Sequence, residues 1–174
     1  MTIRFARQED LEQINGLRQQ VHEIHAAGKP EIFQPGFSQA LRDHLYTIWQ
    51  DPDQNIVAAE EDGRICGYAV LNHIQKPANP YRKELDFLDV DEFGVDAAFR
   101  RQGAATRMIR FIREYAAAQG FQRVELNVWE FNQDALRFYE AAGFRCYRRY
   151  LELPLESAEE SAAVSWGGGD ENSP

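Results

Sequence analysis

The sequence has little cysteine and no long apolar run, and these two features argue against a disulfide-rich protein and against a membrane-spanning one. Its two cysteines, Cys66 and Cys146, form neither a CxxC pair nor a disulfide framework, so we expect free thiols in a reducing compartment. No apolar run is long enough to span a bilayer, and the first residues lack the apolar core of a signal peptide. We therefore expect a cytoplasmic protein that does not bind membranes.

Positive charge is also scarce. The 174 residues include 19 Lys and Arg against 28 Asp and Glu, which gives a formal net charge of -9. A protein of that sign has no general attraction for nucleic acid or for an anionic membrane surface, so we expect neither as a partner. Hydrophobic residues make up 44% and charged residues 27%, which is an ordinary globular balance, and the length suits one domain.

The composition changes at residue 156. Residues 156–174 contain five acids, no cation and few apolar side chains, so they cannot bury enough surface to offset the entropy cost of ordering. We expect a domain over residues 1–155 and an acidic disordered tail over residues 156–174.

Apolar periodicity and turn residues predict elements in the order β-α-α-β-β-β-α-β-α-β. Asp62-Gly63 lies between two apolar runs and predicts a two-residue hairpin, because both positions of such a turn take positive φ. Gly120 ends a helix that begins near Arg101, and residues 144–155 supply the last strand. This order predicts an α/β (α+β) fold, in which helices cover both faces of a mixed, mostly antiparallel central sheet.

The segment between the long fourth strand and the following helix carries the strongest chemical signal. Val95 ends the strand, Arg100 and Arg101 occupy the turn, and Gly103 precedes small residues that open the helix. The first N–H groups of a helix have no partner within it and attract anions, and small side chains let an anion approach the backbone. The segment therefore predicts a diphosphate site, and the alternative is a plain helix start with two solvated arginines.

Two ordered blocks resemble the GNAT superfamily of acyl-CoA-dependent N-acetyltransferases. The first block is Arg100-x-x-Gly103-x-Ala105, which is similar to the family signature Q/R-x-x-G-x-G/A. The second is similar to the family element N-x-x-A-x-x-x-Y-x-x-x-G-F and consists of Asn132-x-x-Ala135-x-x-Phe138-Tyr139-x-x-x-Gly143-Phe144. Together with the order of elements, the resemblance covers residues 2–155.

The resemblance implies acetyl-CoA as co-substrate and assigns residues to each part of it. Backbone groups of Phe93 and Val95 bind the pantetheine arm, on a strand that splays from its neighbour, and Asn132 contacts that arm or caps the next helix. Tyr139 lies beside the thioester sulfur. The diphosphate is assigned to seven consecutive residues, which are Arg100, Arg101, Gln102, Gly103, Ala104, Ala105 and Thr106.

Acetyl transfer to an amine needs a proton acceptor for the amine and a proton donor for the leaving thiolate. Tyr139 is the predicted donor, and the alternative for it is an aromatic side chain on the buried face of a helix. The resemblance favours Glu92 as the acceptor, with Asp91 as second choice, and a water-relayed base stays open. Since side chains alternate along a strand, we expect Glu92 to point away from Asp89 and Asp91.

The resulting hypothesis is an N-acetyltransferase that moves an acetyl group from acetyl-CoA to a primary amine of a small molecule or peptide, by direct attack in a ternary complex. The alternative is a non-catalytic acyl-CoA-binding or sensor module. We expect His22 and His25 to line the acceptor pocket or to pack at the surface, and we expect no metal site, because no third ligand has suitable spacing. The resemblance makes a homodimer one candidate assembly and leaves the acceptor open.

Overall fold

The structure is a computed structural model that describes residues 1–155, so the predicted acidic tail lies outside the described residues. The strands are β1 (Thr2–Phe5), β2 (Gln54–Glu61), β3 (Arg64–Lys76), β4 (Leu85–Val95) and β5 (Val124–Leu126). The α-helices are α1 (Leu11–Gly28), α2 (Gln39–Gln50), α3 (Ala104–Gln119) and α4 (Gln133–Ala141). Short 3-10 turns lie before α1 and between β4 and α3.

The five strands form one sheet in the order β1-β2-β3-β4-β5. Neighbours from β1 to β4 are antiparallel, whereas β5 runs parallel to β4 because α3 forms the crossover between them. The predicted hairpin is confirmed, since Asp62 and Gly63 have φ of 50° and 78° and join β2 to β3. The mixed, mostly antiparallel α/β fold predicted from the sequence is confirmed with it.

Helices cover both faces of the sheet. α1 and α2 pack on one face, where Leu11, Leu45 and Tyr68 are fully buried. α3 packs on the other face, where Met108 and Leu88 are buried. Burial of one such side chain stabilises the fold by about 2 kcal/mol, so the two cores fix β3 and β4 between them. Of the helices in residues 1–155, none combines the length and apolarity that crossing a membrane requires.

The region from β5 to α4 is packed less tightly than the rest of the sheet. No residue of β5 or α4 is buried, and Val124, Leu126, Phe138 and Tyr139 pack against the α3 core while staying partly exposed. β5 pairs with β4 over three residues, which is short for a strand. This region, which we call the β5–α4 region, forms one side of the candidate site.

The structure assigns no strand to residues 144–155, so the last element of the predicted order is not found in the described part of the chain. Residues 1–144 form one unit, and the described residues 145–155 belong to a second. Within residues 145–155, the Cys146 thiol donates to the carbonyl of Arg148, whose guanidinium lies over the Tyr150 ring. An alternating pattern favours a strand, but ladder hydrogen bonds with a neighbour must complete it, and the pattern does not specify that neighbour.

Candidate active site

β4 and β5 pair at the beginning of their contact and then separate. The paired residues are Leu88 with Val124, Asp89 with Glu125, and Val90 with Leu126. β4 continues to Val95, while β5 ends at Leu126. From residue 91 onward, the β5 side of β4 has no strand partner among residues 1–155, so its backbone N–H and C=O groups are available to a ligand.

A bulge at Asp91 changes the direction of the β4 side chains. Val70 and Asn72 of β3 lie opposite Glu92 and Asp89, so two steps on β3 match three steps on β4 and Asp91 is the extra residue. Opposed residues share a face of the sheet, and Val70 belongs to the α1/α2 core. Glu92 and Asp89 therefore face the same side. The expectation that Glu92 points away from Asp89 is wrong, because the bulge shifts the alternation by one residue.

Both oxygens of the Glu92 carboxylate are engaged by neighbouring side chains. Arg18 Nε donates to Oε2 and Arg18 Nη2 donates to Oε1, each at 2.7 Å, and the Tyr68 hydroxyl donates to Oε2 at 3.1 Å. Arg18 is 5% exposed, and its third nitrogen donates to the carbonyl of Leu41 at 2.7 Å. This guanidinium thus connects α1, α2 and β4. The sequence did not single out Arg18 or Tyr68, since spacing gives no signal for a pair 74 positions apart.

Asp89 and Asp91 differ from Glu92, because no side chain within residues 1–155 forms an ion pair or hydrogen bond with either carboxylate. Burial raises the pKa of Asp89 to about 6, and the negative charges of Asp91 and Glu125 add to this rise. Desolvation, followed by the charge of Glu92, also raises the pKa of Asp91. A carboxylate whose pKa approaches the working pH is suited to accept and release a proton.

The turn from β4 to α3 presents backbone donors at the start of a 16-residue helix. The first helical hydrogen bond joins Arg107 N to Gly103 O, so the N–H groups of Ala104, Ala105 and Thr106 precede the hydrogen-bond ladder. Gly103 has a φ of 83°, and a Cβ built on it would meet no atom within 4 Å, so the space in front of the helix is open. An anion can therefore approach these N–H groups.

Two exposed arginines flank this helix start. Asp96 shapes the turn, since its carboxylate accepts from Ala98 N at 3.0 Å and pairs with Arg64. Arg101 has a φ of 61°, which is uncommon for a residue with a side chain, and both it and Arg100 are exposed. All seven residues assigned to the diphosphate lie in this turn or in the first turn of α3.

α4 places Tyr139 beside the unpaired part of β4. Asn132 caps this helix, since its Oδ1 accepts from Ala135 N at 3.2 Å, so the capping role considered for it is the one present in the structure. The centroid of the Tyr139 ring lies 6.1 Å from that of Phe93 and 5.7 Å from that of Phe144. Burial raises the pKa of Tyr139 to about 12, so its hydroxyl keeps its proton at neutral pH.

His22 and His25 lie on α1 and contact the segment that joins α1 to α2. Their ring centroids lie 6.4 Å and 5.2 Å from that of Phe33. Burial, followed by the neighbouring His22, lowers the pKa of His25, so that ring is neutral near pH 7. Trp129 and Phe131 reach the same place from the segment between β5 and α4. The sequence did not predict these two, because helix and strand patterns carry no signal for which loops meet.

Comparison with known proteins identifies the family to which the chain belongs. A sequence model of a family described as the acetyltransferase (GNAT) family matches residues 18–144. Uncharacterized N-acetyltransferases of Mycobacterium tuberculosis and Mycobacterium bovis are 33% identical over 95 residues, which is 55% of this chain and 55% of each relative. The chain thus matches about half the length of these curated relatives.

Solved structures show the same fold. A mutant of the BH1408 protein from Bacillus halodurans is 27% identical and has a TM-score of 0.86. The superposition covers 90% of this chain and 100% of that one. The aminoglycoside N-acetyltransferase AAC(6')-Iy in complex with CoA is 18% identical, with a TM-score of 0.67 and coverage of 90% of this chain and 100% of that one. At that identity, the second likeness concerns the fold alone.

Proposed function

The chain belongs to the acetyltransferase (GNAT) family, and from this premise we propose that it transfers an acetyl group from acetyl-CoA to a primary amine by direct attack in a ternary complex. One observation carries the proposal. The unpaired edge of β4 after Val90 is followed, across one short turn, by the open start of α3 at Gly103, which has no side-chain cap. An extended amide-bearing arm and a diphosphate need these two features in this order.

The residues present fit the co-substrate. The pantetheine arm carries amides that can pair with the backbone of Phe93 and Val95, in the manner of an added strand. We propose that the diphosphate binds the N–H groups of Gly103 to Thr106, with the charges of Arg100 and Arg101 beside it. The exposed arginines place a local positive patch on a protein whose net charge is -9, which favours an anionic ligand at this end of α3.

We assign Tyr139 as the donor to the leaving sulfur. In the reaction the amine nitrogen forms a bond to the acetyl carbon, the carbon–sulfur bond breaks, and the electron pair goes to sulfur. The pKa of Tyr139, about 12, lies above the value of about 8.5 for an ordinary thiol, so a hydrogen bond to the thiolate is favoured over complete proton transfer. The hydroxyl thus stabilises the leaving group as charge develops on it.

We assign Asp91 as the group that accepts the proton of the amine, either directly or through a water molecule. Glu92 was the first choice from the sequence, but both its oxygens are held by Arg18 and Tyr68, which leaves them little capacity to accept a proton. Asp91 has no described ion-pair partner, it is exposed, and its raised pKa makes it a better proton acceptor than an aspartate of ordinary pKa. In this proposal Glu92 holds α1 and α2 against β4 next to the reacting groups.

Binding of the co-substrate is tested with a matched pair of variants at Gly103. Asn and Asp tolerate positive φ better than other side chains, so Gly103→Asn and Gly103→Asp place similar shapes at a φ of 83° and differ in charge. We expect acetyl-CoA to raise the melting temperature of the wild type, with Gly103→Asn keeping part of the rise and Gly103→Asp losing it through repulsion of the diphosphate. Differential scanning fluorimetry measures all three. A wild-type melting temperature indifferent to acetyl-CoA would remove the proposal.

Transfer is tested at Tyr139. Tyr139→Phe keeps the ring contacts with Phe93 and Phe144 and removes the hydroxyl. We expect kcat to fall about 100-fold while acetyl-CoA still raises the melting temperature, as is typical for loss of a proton or hydrogen-bond donor. Release of CoA thiol with a panel of amines gives the rate, and Tyr81→Phe, at an 88% exposed ring, is the control. Stabilisation by acetyl-CoA without thiol release for any amine would favour the non-catalytic binding module instead.

A further inference from the structure

Six rings from three segments meet beside α1, and we call them the aromatic cluster. They are His22, His25, Phe33, Phe37, Trp129 and Phe131. His25 stacks on Phe33 with 5.2 Å between centroids, and Trp129 meets Phe33 at 5.5 Å. Such distances are those of direct ring contact, so the cluster is one continuous aromatic surface.

The cluster is separate from the two cores that hold the sheet. None of its six rings belongs to either core, and each is half-buried rather than buried. Gly28 allows the cluster to lie against α1, since a Cβ there would come within 2.3 Å of the Phe131 ring. A contiguous, partly exposed aromatic surface that the cores do not need is typical of a wall that binds an organic ligand.

The aromatic cluster lies next to the β4 carboxylates. The Arg18 guanidinium, which binds Glu92 at 2.7 Å, also lies 5.8 Å from the Phe37 ring. Arg18 thus contacts both the Phe37 ring of the cluster and Glu92, and Glu92 is the chain neighbour of Asp91.

Charge at this place limits how many ammonium groups an acceptor can carry. Glu92 is neutralised by Arg18, so it offers no free negative charge to a ligand. A second guanidinium, that of Arg42, lies 5.2 Å from the Phe37 ring on the same side of the cluster. Because the charge of Arg18 is balanced by Glu92, the repulsion at this place comes from Arg42, which disfavours a molecule with several positive charges more than a single ammonium beside Asp91.

We propose, on the basis of the transfer reaction proposed above, that the acceptor is a monoamine attached to an aromatic or flat apolar body, and that the aromatic cluster binds this body. The bound ammonium first loses one proton to Asp91. The neutral nitrogen then bonds to the acetyl carbon as the carbon–sulfur bond breaks and loses its second proton, the thiolate takes up one proton and leaves as the thiol, and Asp91 returns the other to water. Ring stacking on Phe33 and Trp129 supplies the binding energy, and Asp91 faces the amino group. The charge of Arg42 disfavours polycationic acceptors.

Three amines test the assignment with the full chain. They are 2-phenylethylamine, propylamine, which lacks the ring, and neamine, which carries several ammonium groups. We expect kcat/KM for 2-phenylethylamine to exceed both others by at least about 10-fold, the range that a well-filled apolar pocket provides. Trp129→Ala should reduce this preference by lowering kcat/KM for 2-phenylethylamine while leaving that for propylamine nearly unchanged. The conservative Phe33→Leu should do the same to a smaller extent.

The matched control is Trp49→Ala, which removes an indole from α2 outside the aromatic cluster. It should keep the wild-type preference, and the acetyl-CoA-induced rise in melting temperature should persist in all variants. Equal kcat/KM values for 2-phenylethylamine and propylamine, or a higher value for neamine, would overturn the acceptor assignment and leave the transfer reaction standing. Absence of thiol release with every amine, despite stabilisation by acetyl-CoA, would overturn the transfer reaction and the acceptor assignment together.

Discussion

The α1/α2 side of the sheet and the β5–α4 region belong to the same sheet but are held in different ways. Leu11, Ile14, Leu45 and Tyr68 on the α1/α2 side are fully buried, whereas no residue of β5 or α4 is. Regions with few buried contacts open at low free energy, and they respond most to a bound ligand. The comparison indicates that the α1/α2 side supplies most of the stability of the sheet, and that the β5–α4 region is the part that opens most readily.

One ion pair in each region shows the contrast, because the two pairs differ in how exposed their side chains are. On the α1/α2 side, the side chains of Arg18 and Glu92 are 5% and 25% exposed. On α4, those of Arg137 and Asp134 are 67% and 94% exposed. The chemical groups are the same, but a buried charge that loses its partner cannot be rescued by water, whereas an exposed one can.

Replacing Arg18 gives the largest expected change in the free energy of unfolding, and replacing Arg137 is the comparison for it. We expect Arg18→Leu to lower the free energy of unfolding by about 3 kcal/mol, because the Glu92 carboxylate then stays largely buried without its cation. We expect Arg137→Leu to change it by less than about 0.5 kcal/mol, because that pair is solvated. Urea denaturation of the wild type and both variants measures the difference.

A double variant separates the effect of the Arg18 charge from the effect of Arg18 packing. Arg18→Leu combined with Glu92→Leu leaves no carboxylate without a partner and should recover part of the loss. Equal losses for Arg18→Leu and Arg137→Leu would contradict the contrast between the two regions. Losses that are unequal but not recovered in the double variant would show that packing of the Arg18 stem, rather than its charge, stabilises the α1/α2 side.

Features that depend on neighbours in sequence could be predicted. The Asp62-Gly63 hairpin follows from two adjacent residues that tolerate positive φ, and the end of α3 follows from Gly120, whose φ is 81°. The turn between β4 and α3 is also local, because the seven residues that we propose for the diphosphate are consecutive. The fold class then follows, since the order of such elements limits how they can pack.

Features that depend on residues far apart in the sequence could not be predicted from it. The Asp91 bulge arises in the pairing of β4 with β3, and β4 alone reads as a regular strand. The aromatic cluster joins α1 to a loop about 100 residues later, and Arg18 reaches Glu92 across 74 positions. Local patterns specify elements, but side-chain pairs form only after tertiary packing has set distances and angles. The candidate base was therefore reassigned from Glu92 to Asp91.

Asp89 lies where the two regions meet, because it faces Asn72 of β3 on one side and Glu125 of β5 on the other. Its pKa of about 6 lies above the value of about 3.9 for an aspartate in an unfolded chain. The folded state therefore binds more protons than the unfolded state between these two values. Asp89 thus adds stability below about pH 4 and loses that contribution as the pH rises through about 6.

Replacing Asp89 gives a smaller effect that depends on pH. We expect Asp89→Asn to raise the free energy of unfolding by about 1 kcal/mol at pH 7.5, where the wild type buries a charge, and by almost nothing at about pH 3, where the carboxyl is largely protonated in both states. Urea denaturation at both pH values measures it, and Asp43→Asn, on the exposed face of α2, controls for the chemical change. A gain that is the same at both pH values would mean that the amide improves local hydrogen bonding. In that case the charge of Asp89 would not be what weakens the junction of β4 with β5.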